Sequence, residues 1–503
     1  MLAQHPDRFE VTVLDRAPHP GGQATSITLD ETKYGASWLN DGVQGGSPIF
    51  RHTFNFFRRY GYHVQEIKLQ VSFGKGRDNF WTNVFPSPLV DEFSGEIKKL
   101  GKVLKRIKRL MPILGLLPIK TILRLFRFSP EFGNKMVLPM MALFLGTGNQ
   151  TPHVSSVLLE RLFNDRTMKL WDYDPVTLLP NLPTMFTFPN MSNFYRDWMA
   201  DLRSKGVIFR LRTHAKKILR RDRKGVVIQI VGEDSASRLG DGKEPNPEIF
   251  DELVLCIPAD EAKMLLGRTT TWSERFVLGG ARFYDDVTVI HSDSEYFRRT
   301  YETRFKGDLC AEFRSQERKD QVAFAKNTPR SQKDGWTGFQ PMFYTHPYPT
   351  DPSKLEVAFD CSNYQHQFRN NLGEGRTPLK HDRHIFHSIF RNEEEKHLWS
   401  IDQIDADKII SRKRWHQLGH RWQHSVRVIP GMMFINGRNR TLFAGGWTFL
   451  NMHEVACVSG IAAAYRLGAT YEHFDDFAEG FFSKYLLLSH GMRYKRRDRS
   501  KYG

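Results

Sequence analysis

The chain has 503 residues and a formal net charge of +17, from 73 Lys and Arg against 56 Asp and Glu. That length holds two to four domains of ordinary size, at about 100–200 residues each, and can bury a large core. With 40% hydrophobic and 26% charged residues, wholesale disorder and a disulfide scaffold are excluded. Cys256, Cys310, Cys361 and Cys457 are widely spaced with no CxxC, which fits a reducing, cytoplasmic setting and argues against an Fe–S or zinc-ribbon protein. The positive balance attracts polyanions without choosing among nucleic acid, anionic lipid and acidic substrates.

Residues 1–18 lack the charged and apolar regions of a secretory signal. Phe9 to Asp15 is predicted to be a short apolar strand that ends in an acid. Pro18, Pro20, Gly21 and Gly22 make a turn, and Ala24 to Leu29 is extended. Ile49 to Tyr60 reads as a helix, and Leu69 to Trp81 as paired strands around Gly74-Lys-Gly76.

From Ile97 to Pro130 there is no acidic residue, and lysines and arginines alternate with Leu100, Val103, Leu104, Ile107, Leu110 and Met111 at helical spacing. A basic amphipathic helix of this kind either packs as a core helix with a solvated face or lies on an anionic bilayer. Residues 97–128 are therefore a candidate peripheral membrane contact. No helix-turn-helix, zinc-finger or RNP signature accompanies the charge, which disfavours nucleic acid.

Met136 to Leu145 is a short apolar helix. Gly206–Leu211, Gly225–Val231, Glu252–Pro258, Val287–Ile290 and Thr441–Gly446 read as strands. Residues 233–247 read as a polar loop and 315–335 as a polar, mobile stretch. Met452 to Leu467 is a helix rich in small residues, and the tail from Arg493 is basic. No internal repeat is visible.

A strand ending in an acid and followed by a glycine turn is half of a nucleotide-binding unit, in which the acid bonds the adenosine ribose. Asp15 holds that place, and Gly21-Gly22 would let backbone amides approach a pyrophosphate. Near the other end, Phe443-Ala-Gly-Gly446-Trp447 closes a strand, and His453-Glu454 opens a helix containing Ser459-Gly460. The free amides at that helix start suit an anionic ring edge or a phosphate. His416, His420 and His424 recur every fourth residue, as metal ligands on a helix would. Gln417 replaces the glutamate of a HExxH motif and no carboxylate follows soon after, so no metal is expected. His381, His384 and His387 are a weaker metal candidate still, and no GxSxG, Walker loop or Cys–His nucleophile pair stands out.

These segments resemble, in order over roughly residues 9–470, the FAD-dependent amine-oxidase-like flavoproteins, and in particular their branch of predicted NAD/FAD-binding proteins. VTVLDRAPHPGGQATS is similar to the second strand and glycine pair of that family, and Tyr34-Gly-Ala-Ser-Trp-Leu-Asn40 to the segment beside its flavin. Thr213-His-Ala215 with Gly225-Val-Val-Ile228 resembles its adenine-side strand pair, Phe250 to Pro258 its re-entering strand, and Phe443 to Gly460 its C-terminal flavin motif.

The resemblance implies an α/β fold with a Rossmann-like FAD-binding domain (lacking its N-terminal part) and a mixed α+β substrate domain. The FAD-binding domain would take residues 1–95, 201–270 and 426–480, with a helical substrate- or membrane-facing insertion at 96–200, a substrate domain at 271–425 and a basic tail at 481–503. The implied activity is a FAD-dependent oxidoreductase, amine oxidase- or desaturase-like, that removes hydride from a C–N or C–C bond of a lipophilic small molecule. Asp15, Gly21, Gly22, Gln23, Gly35, Ala36, Ser37, Trp38, Ala215, Gly445, Gly446, Glu454, Ser459 and Gly460 would bind the FAD. Trp447 would wall the ring, and His453 is the candidate for proton transfer.

Two departures stand against this. The family's first strand and GxGxxG turn have no counterpart here, so the sequence is either an N-terminally truncated form or one that has lost strong FAD binding. Gln23 stands where many members carry arginine. A degenerate, non-catalytic binding or scaffold protein of the same fold is the alternative from another class, and a basic nucleic-acid- or membrane-associated protein is a third.

Overall fold

The computed structural model describes residues 1–145, 148–166, 168–232, 247–312, 315–327, 338–370, 379–496 and 499–500. The expected loop at 233–247 lies almost wholly outside them. The expected acid-ending strand is β1 (Thr12–Leu14), which pairs in parallel with β9 (Ile208–Arg210), Thr12 opposite Ile208 and Leu14 opposite Arg210. β13 (Leu253–Leu255) pairs in parallel with β19 (Thr441–Phe443). Leu14, Leu253, Leu255 and Phe443 enter one core cluster, so segments far apart in the chain converge there. A short hairpin, β2 (Ser26–Thr28) with β3 (Trp38–Asn40), follows the glycine turn.

β10 (Thr213–Asp222), β11 (Gly225–Gly232) and β12 (Pro247–Phe250) form an antiparallel sheet over this region. It is pinned by a buried ion pair: Arg221 meets Glu274 at 2.7 Å and also donates to the Thr441 hydroxyl at 3.1 Å. A charge pair so deep costs desolvation, but removing one partner alone would cost about 3–5 kcal/mol.

The second body is a seven-stranded sheet. Its order is β18 (Ile409–Leu418), β14 (Phe283–His291), β17 (Phe386–Phe390), β16 (Asp351–Asp360), β15 (Phe343–Tyr348), β6 (Val71–Phe73) and β7 (Trp81–Thr82). All its pairings are antiparallel except β15 with β6. The strands predicted around Gly74 thus pair with each other and extend this sheet at its edge.

The basic segment is α2 (Ser94–Arg109). Ile97, Leu100, Val103, Leu104 and Ile107 face inward and join the largest core, together with α3 (Ile119–Leu125) and α4 (Leu138–Leu145). The apolar stripe of α2 therefore packs on protein and is not available to lipid. Residues 316–326 correct the expectation of a mobile stretch. They form α6 (Gln316–Lys326), capped by the Ser315 hydroxyl, which accepts from the Arg318 amide at 3.3 Å. Val322 and Ala325 bury against Phe80, Phe85 and Phe339, which outweighs the polar composition. Residues 328–335 lie outside the described chain. Among the described residues, no helix is long and apolar enough to cross a membrane.

Candidate functional site

A cavity of about 510 Å³ opens between the two bodies, within the usual range for small-molecule sites. One half is built from turns. Gly21 and Gln23 come from the turn after β1. Asp41 to Ser47 come from the loop after β3, which includes β4 (Gly45–Gly46). Cys256 to Pro258 leave the carboxyl end of β13, and Gly445 to Trp447 leave that of β19. Ligands in parallel α/β sheets sit at the carboxyl ends of strands, because the connections there diverge and leave a crevice. The other half is the face of the large sheet, with Phe343, Val357, Phe359, His387, Ile389 and Arg391, closed by Phe50, Ala142, Leu143 and Met185.

Two glycines explain how the turns come so close. Gly21 has φ +112°, and a Cβ there would lie 2.7 Å from the Tyr195 ring. A Cβ on Gly42 would lie 1.7 Å from the Gln23 carbonyl oxygen, so only glycine lets the Asp41–Ser47 loop touch the first turn. This loop was missed from the sequence. Its signal is three glycines within five residues, Gly42, Gly45 and Gly46.

The sequence-predicted residues divide sharply. Gly21, Gln23, Gly445, Gly446, Trp447 and His453 line the cavity. Asp15 does not. It stands half-buried at the end of β1, with Oδ1 accepting from the Ala17 amide at 2.9 Å. Gly22 is exposed. Gly35, Ser37 and Trp38 lie along the β2–β3 hairpin and Ala36 is buried in a separate cluster, none of them on the cavity wall. Ala215 packs against the core beside β13, and Gly460 is exposed on the far side of its helix. Ser459 is buried and acts at one remove, its hydroxyl accepting from the Gly445 amide at 2.7 Å.

Glu454 also faces away from the cavity. Oε1 accepts from the amide and Nδ1 of His52, at 3.0 and 2.7 Å, and Oε2 from the Thr53 amide at 2.9 Å. It is the anionic cap of α1 (Arg51–Arg59), supplied from 402 residues away. By contrast, the helix that Glu454 belongs to, α7 (His453–Arg466), has no side-chain cap, and Met452, His453 and Ala456 at its start line the cavity.

The two ring nitrogens of His453 are both engaged, Nε2 with the Tyr195 hydroxyl at 2.8 Å and Nδ1 with the Thr53 hydroxyl at 3.1 Å. Burial holds its pKa down to about 4, so it is a neutral, fully bonded wall residue. His416, His420 and His424 do not share a helix face. His416 lies on β18 between Asp285 and Asp260, each at 2.7 Å, and these bonds outweigh the opposing effect of burial and raise its pKa. His420 accepts from the Asn451 amide and His424 bonds the Trp447 carbonyl. Elsewhere, ligand atoms of Asp360, His381 and His384 lie within 4.8 Å of one another. Both nitrogens of His384 are already taken there, by Asp360 at 2.7 Å and the Leu379 carbonyl at 3.0 Å.

Several buried polar atoms on the cavity wall have no hydrogen-bond partner among the described residues: Trp447 Nε1, His387 Nε2, Arg391 Nε and the Ser47 hydroxyl. Three are donors by chemistry or by network, and the hydroxyl can act either way. Asp41 is the cavity's one carboxylate among the lining residues, and it is held by Lys413 and by the Thr25 hydroxyl. Orphaned buried donors are costly, so this wall is shaped for an occupant rich in acceptors.

Residues 1–60 match the family of NAD(P)-binding Rossmann-like domains. No curated protein sequence matches the chain. Among solved structures, the chain superposes on the CLA-producing fatty acid isomerase from P. acnes with a TM-score of 0.55 at 13% identity, covering 91% of this chain and 92% of that one. It also superposes on cyclohexylamine oxidase from Brevibacterium oxydans (TM-score 0.53, 11% identity, 95% of each chain). A third is putrescine oxidase bound to putrescine, with a TM-score of 0.53 at 11% identity over 92% of this chain and 95% of that one. The fold is α/β and like that of these amine oxidases, and residues 1–60 resemble a Rossmann-like domain.

Proposed function

We propose that the protein is a FAD-dependent oxidoreductase that takes hydride from a C–N or C–C bond of a lipophilic small molecule. The supporting observation is the convergence of three glycine-bearing turns, at residues 21–23, 42–46 and 445–447, on one cavity whose far wall is mainly apolar, interrupted by His387 and Arg391. FAD bound there supplies a two-electron hydride acceptor. The uncapped start of α7 and the unpartnered Trp447 Nε1 would hold the FAD by donating to its acceptor atoms. The chain's own part is to hold the ring, exclude water with Phe50, Phe343, Phe359 and Leu143, and present the substrate. His453, with both nitrogens bonded, is a positioning residue in this reading, and nothing in the cavity lining supports a ribose role for Asp15.

The test is the absorbance spectrum of the purified protein, followed by denaturation. A flavin spectrum with FAD in the supernatant supports the reading. A colourless protein that takes up no added FAD supports the non-catalytic scaffold instead.

A membrane contact is also proposed, at a smaller place than residues 97–128. Leu110, Ile113 and Leu125 are 47%, 69% and 55% exposed, beside the exposed Lys105, Arg106, Lys108, Arg109, Lys120 and Arg124. Apolar tips ringed by cations suit an anionic lipid surface. Flotation with phosphatidylserine vesicles should be lost in an Ile113→Asp/Leu125→Asp variant and absent with neutral phosphatidylcholine. Equal flotation of variant and wild type would end the idea.

A further inference from the structure

Strand β17 alternates faces, so His387, Ile389 and, just past its end, Arg391 point to one side, into the cavity. His387 is 2% exposed. Its tautomer is set by a chain of amides that begins at the backbone of β3. The Asn40 amide donates to Gln365 Oε1 at 2.9 Å, and Gln365 Nε2 donates back to the Asn40 carbonyl at 2.9 Å, which fixes the Gln365 amide. Gln365 Nε2 also donates to Gln44 Oε1 at 3.0 Å, which fixes the Gln44 amide in turn. Gln44 Nε2 must then donate to His387 Nδ1, 2.7 Å away. An imidazole that accepts at Nδ1 carries its proton on Nε2. That Nε2 has no partner among the described residues.

The charges around it are closed off. Arg391 is paired with Asp286 at 2.5 Å, and Asp41 is paired with Lys413. Burial and the Arg391 charge keep His387 uncharged, with its pKa held down to about 3. His416, also a titratable lining residue, stands between Asp285 and Asp260 opposite the far end of β14 from the Ile290–His387 pair. Beside His387 the cavity thus offers a fixed hydrogen-bond donor in aromatic and aliphatic walls, with Arg391 and Asp41 each already paired. A carboxylate or an ammonium entering it would lose its hydration without a free counter-ion, whereas a neutral acceptor oxygen loses little and gains a bond.

We propose that His387, held as the Nε2–H tautomer by the Asn40–Gln365–Gln44 relay, binds the carbonyl oxygen of a neutral, apolar substrate. This deepens the oxidoreductase reading and rests on it for the word substrate. It places the reacting bond in a carbonyl-bearing lipophile and removes amines from the substrate class.

The test uses the full-length protein and four probes of equal carbon count: a long-chain methyl ketone, the alkane, the fatty acid and the primary alkylamine. Binding is followed by fluorescence of Trp415 and Trp447, which line the cavity. The ketone should bind about tenfold more tightly than the alkane, the gain expected from one donor in a dry site, and more tightly than the acid and the amine. His387→Phe should abolish the ketone's advantage and leave the alkane within about twofold. Nitrogen-15 spectra of histidine-labelled wild type should show His387 protonated on Nε2 and bare on Nδ1, a readout that needs no variant to fold. Preferred binding of the amine or acid, a ketone advantage that survives His387→Phe, or a proton on Nδ1 would each overturn the proposal. Flavin content is read separately from the same preparation, so loss of the FAD reading leaves the probe ranking interpretable.

Discussion

Replacing Glu454 by Gln separates a structural carboxylate from a cofactor ligand. In the wild type its two oxygens accept three bonds, from the His52 amide, His52 Nδ1 and the Thr53 amide, in a setting where Glu454 is 1% exposed. The glutamine keeps one oxygen, which can still serve His52. Its NH₂ then faces the Thr53 amide, donor against donor, and leaves that buried N–H unsatisfied at a cost of about 1–3 kcal/mol. The lost negative charge at the start of α1 adds up to about 2 kcal/mol. A total near 3 kcal/mol is expected. The assay is hydrogen exchange at Thr53 and its neighbours in α1, with the thermal midpoint alongside. Protection there should fall by about a hundredfold, since 1.4 kcal/mol is a factor of ten. Unchanged exchange and midpoint, combined with loss of bound flavin, would refute the capping argument and return Glu454 to the cofactor.

Three further outcomes follow from the same geometry. Gly42→Ala places a methyl against the Gln23 carbonyl and should both destabilise the protein, by about 1–3 kcal/mol or more, and lower flavin occupancy; a stable variant with full occupancy would contradict the close-packed turns. Trp447→Phe keeps a ring but removes the unpartnered Nε1–H, and FAD affinity measured by reconstitution should fall about tenfold; no change would mean that donor faces nothing. His453 and His424 are held down to about 4 and His387 to about 3 by burial. Their unfolded forms take up protons near pH 6.5, so this stability is present above about 6.5 and lost as pH falls toward 4. His384 and His416 are shifted upward and oppose the trend. The urea midpoint should nevertheless drop between about pH 7 and pH 5, and a midpoint that rises over that range would sink the argument.

The ends of the cavity were legible in the sequence because a glycine pair directly after a buried strand allows close backbone approach, although Gly279-Gly280, just ahead of β14, shows that such a pair can also serve packing alone. Gly21-Gly22 and Gly445-Gly446 marked both turns, and Trp447 and His453 came with them. Asp15 and Glu454 were read into the same site from their types and positions, but a carboxylate serves a turn or a helix start as readily as a ligand, and spacing cannot distinguish these. The cavity place of His387, noticed only as a weak metal candidate with His381 and His384, was hidden for a different reason. The run Phe386-His-Ser-Ile-Phe390 is buried on both faces. No polar alternation therefore marks which side meets a cavity, and the amides that orient the histidine come from residues 40, 44 and 365. The apolar periodicity of α2 was correctly seen, but a stripe that fits a bilayer also fits a protein core, and here the core takes it.

The most direct measurement is a structure of the protein with FAD added. The account predicts ring density between Gly45-Gly46 and Gly445-Trp447, with its carbonyl edge toward Met452 and His453. Density in any other cavity, or a saturated complex in which these turns stand empty, would contradict it.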